Sequence, residues 1–461
     1  MTIKLELNIK KSLINARSLA ANQTVVFCHV QKIESVSVIE LYKSSELKYR
    51  GKRFYWENAD QNLKFVGIDP AFKLQMNETE DDRFELVENF WNSFSKLIQL
   101  SGEQSIEGTG PICFGGFSFQ PNQSDMIWED FGTLLFYVPK FLITDIKGEC
   151  YLSSTFVVNE DTTDREIDDL MKQYELILRQ EDGQEIDPDI IDIAETDLVE
   201  WTEMIENALA EITSGDIEKI VLARTTELKF DGEISPSSVM EKLSNQQNNS
   251  YRFGIELDHV AFVGASPERL ILKQGNYIST ACVAGTIGRG ETDEIDKMLA
   301  SELMNDRKNI HEHQFVVEYI RSILEEKCVK LDISSEPQIL KNNNVQHLFT
   351  PVFGQALPDK SILNFVRDLH PTPAMGGIPH TFALEKIDAL ESFGRGFYAS
   401  PIGWMDRFGN GEFIVGIRSA LINQNKVTLF AGCGIVANSD PLKEYEETAM
   451  KLKPMLSALG L

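Results

Sequence analysis

The middle of this chain consists of short apolar runs that are interrupted at closely spaced points. Residues 253–280 read FGIELDHVAFVGASPERLILKQGNYIST, with breaks at Asp258-His259, Ser266-Pro267 and Gly275-Asn276. Breaks at this spacing suit antiparallel strands better than β-α-β crossovers, which need a dozen or more residues between strands. The sequence therefore predicts a sheet of neighbouring antiparallel strands.

Helical patterns stand in blocks of their own. WTEMIENALAEITSG is predicted to be a helix, a long helix is predicted from roughly Glu291 to Lys327, and a final helix from about Pro441. Strands return before the final helix, in GEFIVGIRSALI and KVTLFAGCGIV. Strands and helices in separate blocks predict an α+β fold with large antiparallel sheets.

The clearest change in composition lies between Asn159 and Asp197, where acidic residues are dense around one predicted helix. We interpret this stretch as a connection between two parts of the protein. The predicted parts are residues 1–198, a variable N-terminal part that includes the connection and packs on the rest, and residues 199–461. Runs such as TVVFCHV and breaks such as GPICFGGFSF are typical of strands and turns in the first part.

Charge and cysteine content limit the partners. A formal net charge of −27 argues against nucleic acid, which is bound by clustered Lys and Arg. An acidic substrate would need local cations or a metal that work against this overall field. The six cysteines form no CxxC pair and no close Cys/His group, so we expect neither zinc nor disulfides. Since no apolar stretch of about 18 residues and no export signal can be read, we expect a cytoplasmic protein with no membrane partner.

The final predicted helix holds an ordered set of charges. Glu444, Glu447 and Lys451 stand at i, i+3 and i+7, so they fall on one helix face. Such charges more often face solvent. The preceding strand, however, contains Gly432 and Gly434, where backbone N–H groups can approach a bound group closely. This combination favours a binding site at the helix.

Three candidates lie outside that helix. Glu312, beside an apolar run of the long helix, could meet Glu447 across a cleft, and two carboxylates with waters and a substrate oxygen would suit Mg²⁺. Lys219 opens the strand KIVLAR, and Glu268 stands in GASPERL. Each is ordinarily a surface or turn residue. A lysine can nevertheless act as a base when its pKa is lowered, and a buried glutamate can act as an acid.

Other motifs are set aside. GTIGRG, residues 285–290, lacks the Lys-Ser/Thr of a phosphate loop and is predicted to be a turn. His311 and His313 stand on different helix faces, so they do not predict zinc. We interpret His347 and His370 as hydrogen-bonded core residues and leave both out of the catalytic set.

Residues 200–461 resemble the chorismate-utilising enzyme family over nearly their whole length. The resemblance is carried, in the family's order, by KIVLARTTEL, FVGASPERL, ACVAGTIGRG, NIHEHQFVVEYI, HLFTPVFG, LHPTPAMGGIPH, GWMDRFGNGEFIVGIRSALI and LFAGCGIVANSDPLKEYEETAMKLKPML. The N-terminal part resembles the family weakly, mainly through CFGGFSF. The resemblance implies a sandwich of large antiparallel sheets flanked by helices.

The resemblance also implies a magnesium site. Glu312 and Glu447 match the family's metal carboxylates, with Glu444 as a nearby outer candidate. Asn309 stands where the anthranilate branch often has a further carboxylate, which puts the full acidic set in doubt.

Substrate contacts follow from the same resemblance. Arg418 and Lys451 match positions that hold the carboxylates of chorismate, with Gly432 and Gly434 presenting backbone donors. Local cations and Mg²⁺ would then neutralise a dianion inside an acidic protein.

The residue at position 219 indicates whether water or an amine is the nucleophile that attacks chorismate. Family members that transfer an amine have a residue such as Gln at this position, whereas members that add water have Lys. The implied reaction uses Lys219 to deprotonate a water that attacks C2 of chorismate, while Glu268 protonates the departing C4 hydroxyl. The resemblance therefore implies an isochorismate synthase, of the menaquinone-pathway type and monomeric.

Three alternatives stay open. A salicylate synthase shares the lysine and goes on to eliminate pyruvate. An isochorismate synthase of a siderophore pathway is the second. A ligand-binding relative without activity is the third, and the joint presence of Lys219, Glu268, Glu312 and Glu447 argues against it.

Overall fold

The computed structural model describes residues 2–19, 24–77, 82–103, 106–121, 125–178, 187–341 and 345–461. Within these ranges the α-helices are α1 (Thr2–Leu19), α2 (Val38–Ser44), α3 (Glu46–Tyr49), α4 (Arg83–Ser95), α5 (Asp164–Leu176), α6 (Leu198–Ser214), α7 (Pro236–Gln246), α8 (Asp293–Asn305), α9 (Arg307–Glu325), α10 (Ile362–Leu369), α11 (His380–Leu390) and α12 (Pro441–Ala458). The strands are β1 (Val25–Ile33), β2 (Arg53–Glu57), β3 (Leu63–Met76), β4 (Ile98–Gly102), β5 (Ile112–Phe117), β6 (Leu134–Ile146), β7 (Glu149–Val158), β8 (Ile190–Glu195), β9 (Lys219–Phe230), β10 (Tyr251–Leu257), β11 (Val260–Ser266), β12 (Arg269–Gln274), β13 (Tyr277–Gly288), β14 (Cys328–Ile333), β15 (Gln338–Lys341), β16 (Val345–Ala356), β17 (Gly377–Ile378), β18 (Pro401–Asp406), β19 (Gly411–Val415), β20 (Ser419–Asn423) and β21 (Lys426–Ile435).

The strands form two long runs that share β6. The first run has the order β8-β9-β21-β20-β11-β10-β2-β3-β6-β7-β1-β4. The second has the order β6-β5-β18-β19-β12-β13-β16, with β14 and β15 both beside β16. Pairing in the described residues is antiparallel except between β1 and β4. The predicted α+β fold with large antiparallel sheets is confirmed.

Aromatic side chains pack between the two runs of strands, here called the first and the second sheet although β6 belongs to both. Phe54 of β2 stacks on Phe114 of β5 at 4.2 Å between ring centroids, and Phe65 of β3 meets Trp404 of β18 at 5.1 Å. Pairs of this kind add about 0.5–1.5 kcal/mol each beyond the area that they bury. A second apolar layer lies between the first sheet and a set of helices that includes α1, α7 and α12.

Both sheets contain strands from both ends of the chain. Strand β2 pairs with β10, and β5 pairs with β18. The strand pairing therefore crosses the predicted boundary after residue 198 in each of the two sheets.

The expectation of one long helix from Glu291 to Lys327 is wrong, because this segment forms α8 and α9. Asp306 leaves the helical conformation between them, with φ −73° and ψ 112°, and its carboxylate accepts a hydrogen bond from the Asn309 N–H at 2.7 Å. A short acidic side chain satisfies a free N–H at the start of a helix in this way. The chain therefore breaks and restarts at Asp306, which fixes the start of the helix that carries Glu312.

The predicted turn at residues 285–290 is wrong for its first four residues, which continue β13. The register between β13 and β16 shifts between Ala284 and Thr286, and Gly285 has a φ of +78°. This is a β-bulge with glycine at the position that needs positive φ. The bulge bends β13 where it lines the cavity described below.

Two further expectations concern the whole chain. Among the described residues, no helix combines the length and the apolar character that a membrane crossing requires. All six cysteines are free thiols, which agrees with the prediction of no disulfides.

Candidate active site

A cavity of about 460 Å³ lies where β9 and β21 meet α9 and α12. All nine residues that the sequence predicts for the site line this one cavity: Lys219, Glu268, Glu312, Arg418, Gly432, Gly434, Glu444, Glu447 and Lys451. They come from strands, turns and helices spread over residues 219–451. The fold therefore gathers the predicted set in one place.

Lys219 is the first residue of β9 and is held by strands on both sides. The register places it opposite Ile378 of β17, while β21 pairs with β9 from Ile220 onwards. Its buried ammonium donates to Glu312 Oε1 at 2.6 Å. Glu312 lies on α9, so this ion pair joins a strand of the first sheet to a helix across the cavity.

The charged face of α12 points into the same cavity. The carboxylate of Asp440 accepts from the N–H groups of Leu442 and Lys443 and so starts the helix. Lys451 Nζ lies 2.6 Å from Glu447 Oε1 and donates to the Gly432 carbonyl at 2.8 Å. The helical spacing read from the sequence therefore describes a real face of α12, which is tied to β21.

Glu268 is positioned by the turn between β11 and β12. Its N–H donates to the Ser266 hydroxyl at 3.2 Å, and its carbonyl accepts from the Val415 N–H at 3.0 Å. Burial raises the pKa of the Glu268 carboxyl to about 7, although the charges of Arg418 and Lys451 act in the opposite direction. Near neutral pH this group can hold a proton and release it.

The pKa values of Glu444 and Glu447 on α12 are shifted in opposite directions. Burial acts to raise the pKa of Glu447, but the charges of Lys451 and Arg418 outweigh burial and hold that pKa below its ordinary value. Burial raises the pKa of Glu444, and the neighbouring Glu447 carboxylate raises it further. Glu447 is therefore the better anionic ligand of the two.

Arg418 follows β19 in a left-handed conformation with φ +52°. Its carbonyl accepts from the Ala265 N–H at 3.0 Å, which fixes this unusual backbone between two strands. Arg418 and Lys451 give the cavity two cations that could hold the carboxylates of an acidic ligand. Gly434 lets strand β21 approach the Lys219 side chain closely, because a Cβ at this position would lie 2.9 Å from Cε of Lys219.

Sequence reasoning missed further residues that line the cavity, among them His347, Tyr398 and Arg395. The ring of His347 bonds to the Thr286 hydroxyl at 2.9 Å, and burial lowers its pKa to about 4, so it is neutral. Its place in an apolar strand is typical of a core histidine, so the sequence pattern did not indicate a residue of the cavity. His370 is partly buried, and its ring bonds to the Phe119 carbonyl at 3.1 Å.

The carboxylates can be tested as a metal site by the chemistry of their donor atoms. Within the described ranges no three His, Cys, Asp or Glu residues cluster closely enough to hold a metal by themselves. Glu312 and Glu447 are instead paired with lysines. Mg²⁺ commonly takes only one or two protein carboxylates and completes its shell with water and substrate oxygens. The donor set fits Mg²⁺ of that kind.

The sequence of the chain is similar to that of a known protein family. Residues 11–460 match the sequence model of the family described as chorismate binding enzyme.

The chain belongs to the chorismate-binding enzyme family.

Among curated relatives of this chorismate-binding enzyme, isochorismate synthase MenF of Bacillus subtilis (strain 168) is 37% identical over 467 residues, which span 100% of this chain and 99% of that protein. The salicylate biosynthesis isochorismate synthase of Pseudomonas aeruginosa is 41% identical over 261 residues, 57% of this chain and 55% of that protein. The solved structure of MenF, the menaquinone-specific isochorismate synthase from Escherichia coli, shares the fold with a TM-score of 0.81 at 24% identity, covering 98% and 100% of the two chains.

Proposed function

We propose that this chorismate-binding enzyme is an isochorismate synthase that converts chorismate to isochorismate by adding water at C2. The observation that carries the proposal is that Lys219 and Glu268, one a candidate base and the other a carboxyl group with a pKa of about 7, line the same cavity. The 37% identity to MenF of Bacillus subtilis over the full chain supports it.

The proposed reaction needs one proton acceptor and one proton donor. Lys219 takes a proton from water as the water oxygen bonds to C2, the ring double bonds shift, and the C4–O bond breaks. Glu268 gives its proton to the departing C4 hydroxyl, which leaves as water. Lys219 thus gains one proton, from the attacking water, and Glu268 loses a different one, to the departing hydroxyl. In the structure Lys219 is ion-paired with Glu312, so its ammonium must first lose a proton, for which the Glu312 carboxylate is the adjacent acceptor, before the nitrogen can act as a base.

In this proposal the cations and glycines of the cavity bind the substrate. Arg418 and Lys451 would pair with the carboxylates of chorismate, and the backbone at Gly432 and Gly434 would approach it closely. Each charge-assisted hydrogen bond of this kind contributes about 1.5–3 kcal/mol. These contacts orient C2 towards Lys219.

We further propose Mg²⁺ as the cofactor, held by Glu312 and Glu447 with Glu444 nearby. When bound, it would neutralise the ring carboxylate and stabilise charge that develops during the reaction. The donor chemistry of two carboxylates in one cavity supports this choice.

The menaquinone pathway is the role we favour. The MenF relative is 37% identical over the whole of this chain, the N-terminal part included, which supports the menaquinone type. The predicted monomeric state and cytoplasmic location stay predictions, and light scattering of the purified protein would test the first.

Product analysis tests the proposed function. Purified protein is incubated with chorismate, with and without Mg²⁺, and the products are separated. We expect isochorismate as the product, formed only with Mg²⁺. Salicylate with pyruvate would instead select a salicylate synthase, and no turnover under either condition would overturn the proposed enzyme.

A further inference from the structure

Among the described residues, no strand pairs with one edge of β9 just beyond Lys219. On this edge β17 pairs with residues 219–220 and β8 pairs with residues 226–230. The Thr196 hydroxyl accepts from the Thr225 N–H, and the Thr196 N–H donates to the Thr225 carbonyl. The Gly376 carbonyl accepts from the Val221 N–H. The Val221 carbonyl and the Ala223 N–H still need partners, because buried backbone groups are costly when they are left unpaired.

Two side chains fill the place of the missing strand. Glu391 Oε1 accepts from the Ala223 N–H at 2.8 Å, and Arg395 Nη2 donates to the Val221 carbonyl at 2.7 Å. The two side chains also bind each other, through Arg395 Nη2 to Glu391 Oε1 at 2.5 Å and Arg395 Nε to Glu391 Oε2 at 2.9 Å. One carboxylate and one guanidinium thus replace the hydrogen bonds of a strand.

The pair also reaches the segment on the other side of Lys219. Arg395 Nη1 donates to the Met375 carbonyl at 2.9 Å, and the chain continues from there into β17, whose Ile378 lies opposite Lys219. Both side chains are 1% exposed. A buried charge pair is a poor source of stability compared with apolar packing, although removing one partner is costly. Its position suggests a use other than stability.

We propose that the Glu391–Arg395 pair is a positioning element for Lys219. It fixes the strand that carries Lys219 and the segment that flanks it, so that the lysine nitrogen stays beside Glu312 and faces the substrate. The inference rests on the proposed function, in which Lys219 is the base. A displacement of about 1 Å in a reacting group can lower a rate on the order of 10²-fold.

The test compares two buried ion pairs. Glu391→Gln removes the charge of the positioning pair and keeps an oxygen that can accept from Ala223. Glu57→Gln is the matched control, because Glu57 pairs with Arg252 at 2.7 Å with side chains 3% and 0% exposed, on the strands β2 and β10, which contribute no residue to the described lining of the cavity. Four quantities are measured for both variants: kcat, KM for chorismate, thermal stability, and hydrogen exchange of the peptide covering residues 219–225.

For Glu391→Gln we expect kcat to fall at least about tenfold with KM changed less than about threefold, the pattern of an interaction that matters in the transition state. Exchange should quicken in the 219–225 peptide. Glu57→Gln should lose stability and keep its kcat. If both variants keep kcat, or if 219–225 exchange is unchanged in Glu391→Gln, the positioning role is wrong.

A second variant covers the case in which Glu391→Gln does not fold. Arg395→Lys keeps the charge but cannot reach the Val221 carbonyl, the Met375 carbonyl and Glu391 together, so it should lower kcat and quicken 219–225 exchange as well. Wild-type kcat for Arg395→Lys would contradict the proposal. Hydrogen exchange does not depend on turnover, so a wild-type protein that fails to convert chorismate would overturn the proposed function and not the role of the pair at the strand edge.

Discussion

Lys219 Nζ donates to Glu312 Oε1 at 2.6 Å, across 93 positions of sequence. The contact joins the candidate base to a candidate metal ligand. Lys451 and Glu447 form a second pair of the same kind, also at 2.6 Å. Each proposed magnesium carboxylate is therefore neutralised by a lysine that has a proposed role of its own, and the following predictions separate these roles.

Lys219→Gln should lower the rate of isochorismate formation by about 10²-fold or more, because an amide cannot take a proton from water. The fold should be kept, since Gln fits the space of Lys. The control is Lys229→Gln, which lies on the same strand with an exposed side chain and should leave the rate unchanged. Steady-state kinetics and thermal melting of both variants check this, and near-wild-type turnover by Lys219→Gln would exclude it as the base.

Glu268 should give the enzyme a basic limb in its pH profile. Its pKa of about 7 means that the protonated form, which is needed to protonate the leaving hydroxyl, declines as pH rises. Above that pKa the forward rate should fall by about tenfold per pH unit. Glu268→Gln should be slower by about 10²-fold and should lack this limb. A limb that persists in the variant would assign it to another group.

Glu312→Gln should raise the Mg²⁺ concentration needed for half-maximal activity by at least about tenfold, since a charged oxygen ligand is replaced by an amide. Glu318→Gln is the control on the same helix, with a side chain that is 70% exposed. Titration of activity with Mg²⁺, together with calorimetric binding of Mg²⁺, measures the change. Identical titrations for Glu312→Gln and Glu318→Gln would remove Glu312 from the metal site.

Gly434→Ala should act through Lys219. The new methyl group would lie 2.9 Å from Cε of Lys219 and must push the lysine aside. We expect kcat to fall by about 10²-fold, in line with a displaced reacting group. Gly288→Ala, where a Cβ meets nothing within 4 Å, should keep wild-type kinetics. Equal kcat values for the two variants would show that Lys219 tolerates the move.

Local sequence signals predicted the elements that depend on local chemistry. The breaks at Asp258-His259 and Gly275-Asn276 fall in the turns that join β10 to β11 and β12 to β13. The charges of α12 share a face because helical periodicity places them there. The family resemblance predicted the roles of the nine site residues, which the fold brings together in one cavity.

Tertiary contacts were beyond the reach of sequence reasoning. The break at Asp306 is a local exception: its carboxylate caps the second helix by accepting from Asn309, and the strong helical pattern on both sides hid this signal. His347 lines the cavity because β13 and β16 pair in one register, and the edge contacts of Glu391 and Arg395 depend on a gap between two strands. None of these leaves a periodic trace in the sequence.

The central claim is that water, activated at Lys219, adds to C2 of chorismate. It is tested most directly by running the reaction in water labelled with ¹⁸O and determining the mass of the products and the site of the label. The account predicts isochorismate that carries one heavy oxygen, at C2, without release of pyruvate. Isochorismate without the label would contradict it, whereas labelled salicylate together with pyruvate would keep the addition of water at C2 and select the salicylate synthase instead.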